Sequence, residues 1–235
     1  MLTHCCLVSQ FHFLSLEVAK AADTHAEHIL SGLESLATLA PLLALREGET
    51  LPYFTSDEWL VNAAKVQTGS VLENVFYTPW LEDSVNLAVW ESYATANRHW
   101  FPTTEDPSLP RVWALDGNET VLASTTGNSV FSPLWQSYPL PTNGTLLNLD
   151  LASIEELNLM DSAIRAAPFL SEFAMISQND NISSVWDFFE WGNETSGPRS
   201  FFLYPISDDR GLVGHVGGTL FWTNFFDNVR FVPNI

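Results

Sequence analysis

The chain has 235 residues, with 9 Lys+Arg against 28 Asp+Glu and a formal net charge of −19 at pH 7. Hydrophobic residues make up 46% and charged residues 16%, so the chain can fold around a core and does not read as a disordered acidic tail. The charge excludes nucleic acid as a partner, because −19 repels a polyanion and leaves too few cations to neutralise phosphates; an anionic membrane surface is excluded likewise.

The first apolar stretch, residues 5–16, is broken by Ser9, Gln10, His12 and Ser15 and lacks a basic leader. It reads as neither a membrane span nor a signal peptide. Cys5 and Cys6 are adjacent and have no other cysteine to pair with, so neither a disulfide framework nor a cysteine zinc site is expected.

From Ala22 the apolar residues Ala26, Ile29, Leu33, Leu36, Ala40 and Leu43 follow at alternating spacings of four and three, the seam of a long helix. Such a seam packs either on its own domain or on a partner chain. Pro41 is expected to kink or end the helix near residues 37–40.

Thr55 with Glu58 reads as a capping box opening a second helix through Lys65. Residues 71–77 read as a strand. Ser84 is expected to cap a third helix, 85–100, with Trp90, Tyr93, Asn97 and Trp100 on one face. Residues 111–114 and 120–123 flank Asp116-Gly117-Asn118 as a hairpin. Residues 133–139 read as a short strand between prolines, and Ser153 as the cap of a helix over 154–166. Further strands are expected at 173–177, 200–206 and 211–222, the last with Gly214, Gly217 and Gly218 leaving room for close packing. A helical turn closes the chain at 223–228. One long helix followed by hairpins mixed with short helices predicts an α+β fold built on an antiparallel sheet.

Asn118-Glu-Thr, Asn143-Gly-Thr, Asn181-Ile-Ser and Asn193-Glu-Thr match the N-glycosylation acceptor pattern, each in a turn-like cluster, which favours an extracellular location. An extracellular location would make this chain a fragment of a longer protein or an incomplete gene product. There is no phosphate-binding glycine loop and no nucleophile elbow. His25 and His28 sit together on the first helix, while His99 and His215 stand alone, so no metal site is expected. Acidic residues such as Glu155, Glu156, Asp161, Asp208 and Asp209 read as surface charge. Of the 9 Trp, Trp59, Trp90, Trp100, Trp135 and Trp222 lie in patterned apolar segments and read as core; Trp113 and Tyr138 are better placed to face a pocket.

Several segments together resemble one family. They are residues 71–79 with Asp83, Trp90-Glu91-Ser92-Tyr93 through Trp100, Ser132-Pro133-Leu134-Trp135-Gln136, Asn148-Leu149-Asp150-Leu151 with residues 169–172, and Tyr204-Pro205-Ile206 with residues 212–214 and 221–226. In this order they resemble the CHASE/Cache-type extracellular sensor region of diatom receptor adenylate and guanylate cyclases. The arginine that usually follows the family's acidic turn is Asn86 or Leu87 here.

The resemblance implies a non-catalytic, PAS-like sensor outside the plasma membrane. Its stalk helix would occupy residues 1–50, a membrane-distal region 51–150, and a membrane-proximal, C-terminally truncated region 151–235. A small ligand would sit between sheet and helices and bias a homodimer formed through the first helix, with a cyclase lying outside this chain. No cofactor is implied. The pocket is expected from the strand at 71–77, the hairpin and residues 133–138, with Arg111, Trp113, Trp135, Gln136 and Tyr138 as ligand-binding candidates. The alternative is a secreted acidic carbohydrate-active hydrolase or binding module, using a carboxylate pair and tryptophan stacking.

Overall fold

The first element, α1 (Leu2–Glu47), carries the chain 46 residues in one helix, about 69 Å at 1.5 Å per residue. The computed structural model describes residues 2–100, 111–116, 119–140, 146–154, 172–174, 199–222 and 225. Side chains in α1 are described from Ser15 onward. The seam points inward: Ile29, Leu33, Leu36, Ala40 and Leu43 are all buried in the protein's own core, so a partner helix would have to meet another face of α1.

Pro41 does not end α1. The proline costs one backbone hydrogen bond and a clash with the Ala37 carbonyl, and burial of Ala40, Leu43 and Ala44 on either side of it holds the helix through that point. The stop comes at Gly48, whose φ of +76° only glycine adopts without strain. Its N–H reaches Leu45 O and the Glu49 N–H reaches Ala44 O at 2.8 Å, a paired closure of the last turn. By length and composition, the part of α1 from Ser15 to Glu47 could also cross a membrane, a property not drawn from residues 5–16 alone; 39% of its most apolar window is buried inside the protein.

Helix α2 (Asp57–Ser70) is capped by Ser56, not Thr55. Thr55 is engaged elsewhere: its N–H goes to Glu49 Oε2, and its hydroxyl bonds both Tyr93 and Trp135. Glu58 likewise turns away from the cap and pairs with Arg46 at 2.7 Å. Val71 closes α2 in the left-handed conformation, so the expected strand at 71–77 is displaced to β1 (Asn74–Pro79). Asp83 rather than Ser84 caps α3 (Ser84–Asn97), its Oδ1 accepting the Asn86 N–H at 2.7 Å.

Beyond α3, the hairpin β2 (Trp113–Asp116) and β3 (Glu119–Leu122) forms where its turn residues place it. The expected strand at 133–139 shrinks to β4 (Ser137–Tyr138). Residues 133–135 are drawn off by a second partner: Leu134 exchanges backbone bonds with Leu149 and Asn148, while Trp135 and Gln136 bond Tyr77. Ser153 closes a 3₁₀ turn (Leu151–Ser153) capped by Asp150; the expected helix at 154–166 lies outside the described residues beyond Ile154. β5 (Glu172–Ala174), β6 (Arg199–Asp208) and β7 (Gly211–Phe221) complete a five-stranded antiparallel sheet in the order β4-β1-β7-β6-β5. Residues 223, 224 and 226–228 of the expected terminal turn lie outside the described residues.

Strand alternation sends the sheet's side chains to two faces. Val75, Tyr77, Phe202, Ile206, Val216 and Leu220 join α1 and α2 in the main core. Asn74, Phe76, Thr78, Phe201, Leu203, His215 and Thr219 alternate with them and point the other way, and these too are buried. The β7 glycines admit this packing: a Cβ on Gly214 would lie 2.7 Å from Thr78 O, and one on Gly217 would enter the Phe76 ring.

Candidate functional site

The sequence-expected pocket residues separate into three environments. Trp135 and Gln136 meet the same pair, Thr55 and Ser56, at the junction of α2 and α3. The Trp135 indole N–H donates to Thr55 Oγ1 at 2.9 Å. Gln136 clamps Ser56 from both sides, its Oε1 accepting the Ser56 N–H at 3.0 Å and its Nε2 donating to Ser56 O at 3.1 Å. Both side chains are fully buried. Trp113 is buried elsewhere, its indole N–H bound to Leu147 O at 3.0 Å. Arg111 is exposed beside the hairpin, and Tyr138 is 38% exposed on the sheet's edge. The sequons at Asn118, Asn143, Asn181 and Asn193 lie outside the described residues.

Around Trp135 the aromatic face of α3 closes as its spacing predicts. Trp90, Tyr93 and Trp100 all lie with ring centroids 5.2–6.4 Å from Trp135. Tyr53 stacks on Trp90. The Tyr93 hydroxyl donates to Glu49 Oε1 at 2.8 Å, and burial raises its ionisation far above the ordinary tyrosine range. The bonds among Glu49, Tyr93, Thr55 and Trp135 fix the end of α1 against α2 and α3.

A different set of polar groups is buried on the sheet face opposite α1. Asn74 and Thr219 pair in register across β1 and β7 and hydrogen-bond through Nδ2 and Oγ1, while Asn74 Oδ1 is buried with no partner. Thr78 pairs in register with His215, whose ring packs edge-on to Trp80 at 5.6 Å. Burial pushes the His215 imidazole down to about 3, so it is neutral in ordinary solution. The Ser132 hydroxyl lies 3.1 Å from Thr78 Oγ1, and the Ser132 N–H donates to Asp150 Oδ1 at 2.7 Å. Asp150 is fully buried and its Oδ2 has no partner. Burial raises its carboxyl to about 7 against the two backbone N–H bonds that favour ionisation.

Thr78, Ser132 and Asp150 thus form a connected buried polar set, with His215 beside Thr78 on the next strand and Asn74 and Thr219 farther along the same strands. His215 is therefore no solvated lone histidine, and Asp150 departs from the surface role that suits most acids in the chain. One signal was present in the sequence: Asn74 and Thr78 interrupt an otherwise apolar strand at even spacing. Among the described residues, no group of three or more His, Cys, Asp or Glu is arranged to hold a metal ion. No protein-family model matches the chain, and no curated protein matches it significantly.

Proposed function

We propose that this chain is a PAS-like, non-catalytic sensor domain of the CHASE/Cache type, which takes a small polar ligand on the sheet face opposite α1. It would belong to an extracellular receptor whose cyclase lies outside this chain. The observation that carries the reading is the unequal treatment of the sheet's two faces. One is sealed by α1 with apolar side chains; the other buries Asn74, Thr78, His215, Thr219 and Asp150, including two acceptor oxygens without partners. Buried polar groups that the fold itself leaves unmet suit a face that meets a hydrogen-bonding ligand.

The topology supports the same reading. Counting only sheet strands in chain order, the arrangement is 2-1-5-4-3, the order of a PAS-like sheet, with the long helix packed across its central strands. The coupling route would run from the polar face through β7 to α1, which packs on β6 and β7. A dimer would rearrange through whichever face of α1 its own core leaves open. The hydrolase alternative gains no such support, because no second carboxylate partners Asp150 among the described residues.

Thermal denaturation against a panel of small polar metabolites tests the proposal. At least one compound should raise Tm in the wild-type chain, and Thr78→Val should abolish that rise while Arg111→Ala preserves it. A flat response across the panel, or substrate turnover by the purified chain, would overturn it.

A further inference from the structure

Asp150 stands where three stretches of chain converge. Its backbone N–H donates to Trp113 O on β2 at 2.8 Å. Its backbone carbonyl accepts from the Ser153 hydroxyl at 2.6 Å. Its Oδ1 accepts the Ser132 N–H at 2.7 Å and the Ala152 N–H at 3.1 Å, which joins the 3₁₀ turn to the segment entering β4. Ser132 is in turn tied to Thr78 on β1. The second carboxylate oxygen is buried with nothing to bond. A charge on this carboxyl has two donors and, among the described residues, no counter-ion; a proton on Oδ2 removes the charge and leaves Oδ1 free to keep both bonds.

We infer that Asp150 is a proton-operated clasp, holding the corner at residues 148–154 onto Ser132 and β2 when protonated and loosening it when ionised. The groups that reach Asp150 from the packed elements are Trp113 of β2, Ser132 and Pro133 of the β4 approach, and Ala152 and Ser153 of its own turn; all are uncharged. Through Ser132, β1 contributes Thr78, also uncharged, and its register partner on β7, His215, is kept neutral by burial. No cation on these elements is placed to compensate the ionised form.

The sign follows from which state holds the proton. Closed, the carboxyl titrates at about 7; open to water it titrates near its ordinary 3.8. Between these values the closed state binds more protons, so closure is firmest in acid, weakens as pH rises through this window, and is constant above it. This inference does not depend on the sensor reading, since it concerns only closure of the corner.

Amide hydrogen exchange on the full chain tests it, after correction for the intrinsic pH dependence of exchange. Opening at Ser132 and Ala152 should increase about tenfold per pH unit between pH 4 and 7 and then level off. The stability difference between wild type and Asp150→Asn should follow the same profile, which removes the opposing contribution of His215 common to both proteins. Protection at both amides that does not change across this window would overturn the inference. So would a carboxyl carbon signal of Asp150 titrating near 4, a measurement that stands even where Asp150→Asn fails to fold.

Discussion

The two faces of the central sheet are both buried, by opposite means. Toward α1, Val75, Tyr77, Phe202, Ile206, Val216 and Leu220 meet Ile29, Leu33 and Leu36, and transfer from water supplies the stabilisation. On the other face Phe76, Phe201 and Leu203 share the space with Asn74, Thr78, His215 and Thr219. There, each polar group costs desolvation free energy that only a correctly placed partner offsets. Of the side chains named on the first face only Tyr77 titrates, and burial raises it well above the usual tyrosine range. The second carries His215, with Asp150 linked to it through Ser132 and Thr78, groups whose neutral forms the fold selects nearer to neutral pH. A stable domain of this size needs the first arrangement, and the second is what a function would require.

Loss of a side chain on the α1 face gives the largest expected effect. Leu33→Ala removes a fully buried side chain from the middle of the seam and should cost about 3 kcal/mol, equally at pH 5 and pH 8, by urea denaturation. A cost that changed with pH would erase the distinction between the faces.

The next effect is one of slope. His215 has its ionisation lowered by burial, from 6.5 to about 3, so its contribution is present above pH 6.5 and is lost as pH falls toward 3. Asp150 contributes with the opposite sign over an overlapping window, from 3.8 to about 7. The two therefore oppose each other in the wild-type chain between about pH 4 and 6.5. In His215→Leu only the Asp150 slope survives, and stability should fall by about 1.4 kcal/mol per pH unit as pH rises across that range, relative to wild type. Urea midpoints measured at half-unit pH intervals check this; identical profiles for the two proteins would show that the imidazole is not held neutral by the fold.

Smaller still is Thr219→Val, which keeps shape but takes the acceptor from Asn74 Nδ2. It should cost about 1–2 kcal/mol, whereas the same exchange at exposed Thr68 on α2 should leave the midpoint unchanged. Equal effects at the two sites would mean that the polar face is wet, not buried.

Patterns of short range were legible in the chain. The 4-3 spacing of α1, the hairpin around Asp116, the aromatic face of α3 and the glycines of β7 all appear in the structure because each depends on neighbours a few residues away or on a steric requirement of one strand. The caps were misplaced by one residue: at Thr55 because its hydroxyl is held by Tyr93 and Trp135, both distant in the chain, and at Ser84 because the neighbouring Asp83 carboxylate takes the Asn86 N–H. Pro41 was overweighted because the burial of Ala40, Leu43 and Ala44 around it, a tertiary effect, offsets the local cost of a proline in a helix.

What the sequence determined by itself, then, was the three helices through α3, the hairpin, the long strands of the sheet and the apolar stripe on α1, through periodicities that any helix or strand imposes on its side chains. Only the tertiary structure decided which polar residues became buried. The Ser56–Gln136 clamp joins residues 80 apart in the chain, and the Asn74–Thr219 bond joins residues 145 apart. The state of Asp150 likewise follows from enclosure by β2, Ser132 and its own turn. Burial raises the free energy of a charge according to everything around it, and that surrounding exists only once distant strands have met.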